Sequence, residues 1–142
     1  MVNYLLDTNV LAELVKPMPN PNVLSWIDAQ DEHALYISVV TVGELLRGIA
    51  KHPQPIRQAQ LATWVNNELV PRFGSRVLPL SLDVMRRWAE ITVACERVGR
   101  PLPVIDSLLT ATALQHSATL VTRNMRDFVH TGVPLSNPWL QD

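Results

Sequence analysis

Four acids carry the chemistry that this sequence suggests: Asp7, Glu44, Asp106 and Asp127. Asp7 directly follows an apolar run at residues 2–6, Glu44 lies a few residues beyond a second run at 35–40, and Asp127 lies just past a third at 119–122. Asp106 heads a segment that is apolar nearly all round. If these segments fold side by side, carboxylates far apart in the chain meet at one edge. Two like charges about 4 Å apart repel by about 4 kcal/mol at an effective dielectric near 20. A fold that gathers them must compensate with raised pKa values, arginine partners or a hard divalent cation bound through oxygen. The only lysines are Lys16 and Lys51, neither beside a late strand. A cation, Mg²⁺ or Mn²⁺, is therefore the expected compensator.

The elements that must position these acids follow from hydrophobic patterning. Short runs rich in β-branched and aromatic residues at 2–6, 35–40, 76–80, 119–122 and 133–135 predict strands. Helical segments are predicted at 9–15, 21–29, 42–51, 57–70, 83–98 and 104–115. Asn20 and Pro21 form a cap and first-turn pair for the second of these. Strands alternating with crossovers of this length predict an α/β domain, a mostly parallel five-stranded sheet with helices on both faces, as a single domain over residues 1–142. In such sheets ligands bind beyond the carboxyl ends of the strands, where the strand order reverses. Asp7, Glu44 and Asp127 map to that edge.

Each acid also has a structural explanation. Asp7, with Thr8 and Asn9, can cap the helix that follows the first strand. Thr41-Val42-Gly43-Glu44 reads as a capping box, which would put Glu44 in the first turn of its helix. Arg47, three residues on, would then be an ion-pair partner for Glu44. Asp106 can serve the dipole of its helix, although a charge at the head of so apolar a segment is costly to bury. Asp127, flanked by Arg123 and Arg126, can be a solvated turn acid.

Composition narrows the field. The 142 residues are 47% hydrophobic and 18% charged, enough apolar material for a core and outside the disordered class. The longest stretch free of charge, residues 107–122, is too short and too polar for a membrane span of about 20 apolar residues. The N-terminus carries no basic, apolar leader, so a cytoplasmic location is expected. One cysteine, Cys95, excludes an internal disulfide, and the four histidines lack zinc spacing. Thirteen acids against 12 bases give a net charge of -1, which by itself does not signal a nucleic-acid partner. Setting aside the four candidate acids leaves a remainder of +3, in which ten of the 12 basic residues are arginine, a side chain suited to phosphate.

The sequence also resembles a known family. Leu5-Leu6-Asp7-Thr8-Asn9-Val10, Ile37-Ser38-Val39-Val40-Thr41-Val42-Gly43-Glu44-Leu45, Asp106 followed by Ala111-Thr112-Ala113, and Leu120-Val121-Thr122-Arg123-Asn124 with Asp127-Phe128 are similar in order and spacing to the PIN-domain ribonucleases of the VapC/FitB type. These are the toxin half of bacterial toxin–antitoxin pairs, and the closing Asn137-Pro138-Trp139 looks FitB-like. The resemblance implies a Mg²⁺- or Mn²⁺-dependent endoribonuclease whose first three acids are Asp7, Glu44 and Asp106. Its fourth acid stands right after the Thr-Arg pair in some members, where this chain has Asn124, and three residues later in others, where it has Asp127. Asn9 and Thr122 would be supporting residues that hydrogen-bond the carboxylates, and Asn124 can orient water or a metal through its amide. A homodimer, an RNA substrate and a cognate antitoxin are implied partners, with DNA bound only indirectly through the antitoxin and no membrane. Two alternatives stand beside this one: a PIN scaffold that binds without catalysis, and a Mg²⁺-binding receiver-like signalling domain, whose paired early acids and late lysine are missing here.

Overall fold

The period of two along a strand divides the apolar residues between two layers. In the computed structural model, which describes residues 1–140, the chain begins with β1 (Asn3–Leu6), α1 (Thr8–Glu13), α2 (Pro21–Ala29), β2 (Leu35–Ser38), α3 (Val39–Ala50) and α4 (Pro55–Trp64). A π turn over Val65–Leu69 leads into α5 (Val70–Phe73), followed by β3 (Val77–Leu78), α6 (Leu82–Arg97), α7 (Val104–Gln115), β4 (Ala118–Val121) and β5 (Leu135–Ser136). Leu6 and Val121 pack with Val10, Leu11, Val23 and Leu45 on one face of the sheet. Their chain neighbours Leu5 and Leu120 pack with Leu109, Ala113 and Phe128 on the other. The expected α/β class is observed, with all the strands parallel in the order β3-β2-β1-β4-β5.

That order sets the site. From β1 the chain steps outward through β2 to β3, then returns to the opposite side of β1 for β4 and β5, so the order reverses between β1 and β4. The crevice beyond the carboxyl ends of these two strands is where an open parallel sheet takes a ligand. Asp7 is the first residue after β1 and Thr122 the first after β4. The two strands are in register as far as Leu6 opposite Val121, and the Asp7 amide continues the ladder to the Val121 carbonyl at 2.9 Å.

The predicted strands and helices are present, with shifts at several ends. Asn20 caps α2 by accepting from the Asn22 amide at 2.8 Å, with Pro21 in the first turn as expected. The segment predicted as one helix over 57–70 instead changes to a π turn at Val65–Leu69, where the Val70 amide reaches the Val65 carbonyl. Pro71 lies just beyond and has no amide to continue the α ladder. Among the described residues, no helix is long and apolar enough to cross a membrane. Arg86 pairs with Asp83 at 3.2 Å on the exposed side of α6, an ordinary solvated face.

Candidate active site

Asp7 serves the fold and the crevice with different oxygens. Its Oδ1 accepts from the Thr8 amide at 2.7 Å and caps α1, while its Oδ2 accepts from the Thr122 hydroxyl at 2.8 Å. The side chain is buried, and burial pushes its pKa up. The bonds from Thr122 and Thr8 oppose that rise, and the charge of Glu44 adds to it.

Thr122 is fully buried and is the hub of this end of the sheet. Besides donating to Asp7, its Oγ1 accepts from the Asn124 amide at 3.1 Å and from Asn9 Nδ2 at 3.3 Å. Asn9 Oδ1 in turn accepts from the Arg123 amide at 3.3 Å. Asn124 therefore acts through its backbone, and its own side chain lies on an exposed residue.

The capping box expected at Thr41–Glu44 is absent. α3 starts three residues earlier, at Val39, because Ser38 is its cap and accepts from the Val40 amide at 3.0 Å. Thr41 is consequently buried inside the helix, and Glu44 falls in the second turn rather than the first. Freed from capping, Glu44 Oε1 accepts a 2.6 Å bond from the Thr8 hydroxyl. The expected pairing with Arg47 is also absent among the described residues. Thr8 is the participant that sequence reasoning did not single out for this contact. Its signal was position, one residue after Asp7 at a strand-to-helix junction.

Asp106 occupies the first turn of α7, whose Ser107, Leu109, Thr110, Ala111, Thr112 and Ala113 are all buried. Its carboxyl is half-buried and its pKa is pushed up to about 6, first by burial and then by the charges of Asp7, Asp127 and Glu44. Asp106 thus feels the charges of the other three acids named from sequence, and Asp7 feels that of Glu44. Asp127 closes a 3₁₀ turn over Met125–Asp127 beyond β4, and Asp106 feels its charge. Among the described residues, none of the four forms a salt bridge.

The convergence is looser than the sequence suggested. Among the described residues, no three acidic, histidine or cysteine side chains stand at metal-ligand spacing. Like charges facing one another without a basic partner spread apart. The donor set is nonetheless all oxygen, anionic and partly buried, and its supporting hydroxyls and amides are tied to the backbone. By donor chemistry these residues fit a hard divalent cation such as Mg²⁺ or Mn²⁺, and Asp7 and Asp106, the two with raised pKa, are those with most to gain from it.

Comparison with known proteins places the chain in a family. The PIN domain model matches residues 4–133. The chain is 37% identical over 134 residues to the VapC ribonuclease Y4jK of Sinorhizobium fredii, covering 94% of this chain and 96% of that protein. It is 34% identical over 135 residues to the toxin FitB of Neisseria gonorrhoeae, covering 95% and 97% respectively. The crystal structure of FitAcB from Neisseria gonorrhoeae superposes with a TM-score of 0.92 at 33% identity, over 97% of this chain and 99% of that one. A toxin–antitoxin complex from Klebsiella pneumoniae superposes with a TM-score of 0.65 at 26% identity, over 96% and 98%. With the family model spanning most of the chain and both relatives aligned over nearly their full lengths, this protein belongs to the PIN-domain family, in the branch that holds VapC and FitB.

Proposed function

We propose that the chain is the toxin of a toxin–antitoxin pair and acts as a Mg²⁺-dependent endoribonuclease, hydrolysing RNA phosphodiester bonds at the carboxylate-lined crevice between β1 and β4. The observation that carries this reading is the facing of Asp7, Glu44, Asp106 and Asp127 from separate segments across the strand-order switch, with no salt bridge among the described residues to neutralise them. Asp7 and Asp106 would hold the cation, and Glu44 and Asp127 would complete its shell through water or a second ion. Bound there, Mg²⁺ or Mn²⁺ would supply a Lewis acid for the phosphodiester and lower the pKa of a water nucleophile.

The chain's own groups do the positioning. Thr122 holds Asp7 Oδ2 by donating to it, which favours the ionised carboxylate against its burial and sets its rotamer. Thr8 donates to Glu44 Oε1, leaving Oε2 to accept a proton or a water. Asn9 and the Asn124 amide orient Thr122 from behind.

Related structures support a cognate antitoxin as partner, since one of them is a toxin–antitoxin complex. A homodimer in the cytoplasm, touching DNA only through the antitoxin, completes the reading. Purified chain, freed of any bound antitoxin, is expected to cleave RNA in Mg²⁺, to stop on chelation, and to leave 5′-phosphate and 3′-hydroxyl ends. Metal-independent cleavage, or none from a folded sample, overturns the proposal and leaves the non-catalytic binding module.

A further inference from the structure

Beside the carboxylates lies a second feature of opposite charge. A cavity of about 350 Å³ is lined by Arg100, Pro101, Leu102, Pro103, Asp106, Arg126, Asp127 and His130. Its acids, Asp106 and Asp127, belong to the proposed active site, and its cations, Arg100 and Arg126, come from two segments that the sequence places 26 residues apart, the α6–α7 connection and the turn beyond β4.

Both segments are held rigidly. α6 ends in a left-handed Gly99, φ +72°, with the Gly99 amide bonded to the Glu96 carbonyl and the Arg100 amide to the Cys95 carbonyl. That pair of bonds is a Schellman cap, which fixes where Arg100 leaves the helix. Pro101 and Pro103 then stiffen the path into α7. His130 Nε2 lies 3.2 Å from the Arg100 carbonyl, which can only accept, so the ring donates and ties the two segments together. Arg126 sits in the 3₁₀ turn, one residue before Asp127.

Among the described residues, neither the Arg100 nor the Arg126 guanidinium takes part in a hydrogen bond or an ion pair, although Asp106 and Asp127 line the same cavity. Of the other arginines, Arg72 and Arg76 pair with Glu32, Arg57 with the Val15 carbonyl and Arg86 with Asp83, while among the described residues Arg47, Arg87 and Arg97 make no such bond but lie outside this cavity. Two unengaged forks on stiff backbone, lining a cavity that Asp106 and Asp127 also line, present donors that no acceptor of the chain has taken up. The head of α7 adds to them, because its first turn has no side-chain cap and lines the same space through Pro103 and Asp106.

We infer that Arg100 and Arg126 form a binding site for a backbone phosphate of the RNA strand, adjacent to the phosphate that is cut. Guanidinium forks take phosphate oxygens bidentately and do so without regard to base, so this site sets the strand's path and register, not its sequence preference. His130 is a positioning residue, holding Arg100 through its carbonyl. The inference deepens the nuclease reading and rests on it for the identity of the ligand.

The test separates the two. Binding of a fluorescein-labelled oligouridylate is measured by anisotropy on chelated protein at several low salt concentrations, and cleavage is measured separately in Mg²⁺. The Arg100→Gln/Arg126→Gln double variant is expected to bind about tenfold more weakly, with the slope of log affinity against log salt shallower by about 0.7, the loss of one phosphate contact on a single strand. In cleavage the loss should fall mainly on KM. Arg100→Lys/Arg126→Lys should recover part of the affinity, and Arg87→Gln, exposed on α6 outside the cavity, should change nothing. An unchanged affinity and slope in the Gln variant, or no RNA affinity in the parent chain, overturns the phosphate site. Absent cleavage by a parent chain that still loses RNA affinity in the Gln variant overturns the nuclease reading alone.

Discussion

Thr122 and Asp7 lie 115 residues apart in the chain and share a 2.8 Å hydrogen bond across the point where the sheet reverses its strand order. The bond stabilises the charged form of Asp7 against the burial that disfavours it. Thr122→Val keeps the shape and removes the donor, so the Asp7 pKa is expected to rise further. Mg²⁺ affinity should fall about 10–100-fold, with a stability loss of about 1–3 kcal/mol from the unpaired carboxylate. Thr122→Ser restores the donor and should recover both. Calorimetric titration with Mg²⁺ and thermal melts of the two variants check this, and equal Mg²⁺ affinity in the Val and Ser variants would contradict it.

Glu44 is tied to Thr8 and not to the start of its helix. Glu44→Gln keeps an oxygen for the Thr8 hydroxyl but loses the charge. Its thermal midpoint should match the parent chain, while cleavage falls about 10²-fold or more. Ser38→Ala should do the reverse: it removes the true cap of α3, costs about 1 kcal/mol, and leaves the chemistry in place. A double dissociation of this kind, melt against rate, distinguishes the site acid from the cap.

The contrast between these residues shows which parts of the molecule can be read from sequence. Asp7 and Asp106 were legible because each breaks an apolar pattern at a fixed place, one at the end of a strand and one at the head of a buried helix. The parallel sheet was legible from alternation, since strands with intervening helices have few other ways to close a core. The start of α3 was not, because Val39 and Val40 have strand propensity and both Ser38 and Thr41 are good caps. Packing of Leu45 and its neighbours against the sheet decides between them. The bond from Thr8 to Glu44 and the cluster around Thr122 are tertiary, so no spacing announces them. The cavity at Arg100 and Arg126 depends on a helix cap and a turn that meet only after folding.

Asp106 makes the metal-free protein sensitive to pH. Its pKa is raised from the ordinary 3.8 to about 6, so between those values the native state holds a proton that the unfolded chain has released. Stability contributed by that proton is full below about pH 4 and is lost as the pH rises toward and through about 6. Glu13 and Glu32, whose pKa values are held low by Lys16 and Arg72, act in the opposite sense at lower pH, so the comparison that isolates Asp106 is with Asp106→Asn. In chelator, the parent chain's midpoint should drop relative to the variant's between about pH 4 and 6.5, leaving the variant the more stable at neutral pH. Mg²⁺ should close most of that gap, adding about 2.7 kcal/mol to the parent at a hundredfold excess over Kd and little to the variant. Parallel melting curves across this pH range would remove the electrostatic argument for the site.

The closing Asn137-Pro138-Trp139 segment works on the same hub from the far side. Asn137 Nδ2 donates to the Arg123 carbonyl at 3.3 Å, and its Oδ1 accepts from the Trp139 amide at 2.9 Å. The Arg123 guanidinium lies 5.3 Å from the centre of the Trp139 ring, and the Trp139 carbonyl accepts from Asn22 Nδ2 at 3.1 Å. Arg123 also gives its amide to Asn9, which bonds Thr122, so the C-terminal turn braces the segment that fixes Asp7. Asn137→Ala removes both of its bonds without touching a carboxylate. A stability loss of about 1 kcal/mol is expected. Amide exchange should quicken at Arg123 and Asn124 more than in β1, and cleavage should slow severalfold at unchanged Mg²⁺ stoichiometry. Trp139→Phe, which keeps an aromatic face for Arg123, should stay near the parent in exchange and in rate. If Asn137→Ala melts lower but exchanges and cleaves as the parent does, the turn is an anchor for the terminus and not a brace for the site.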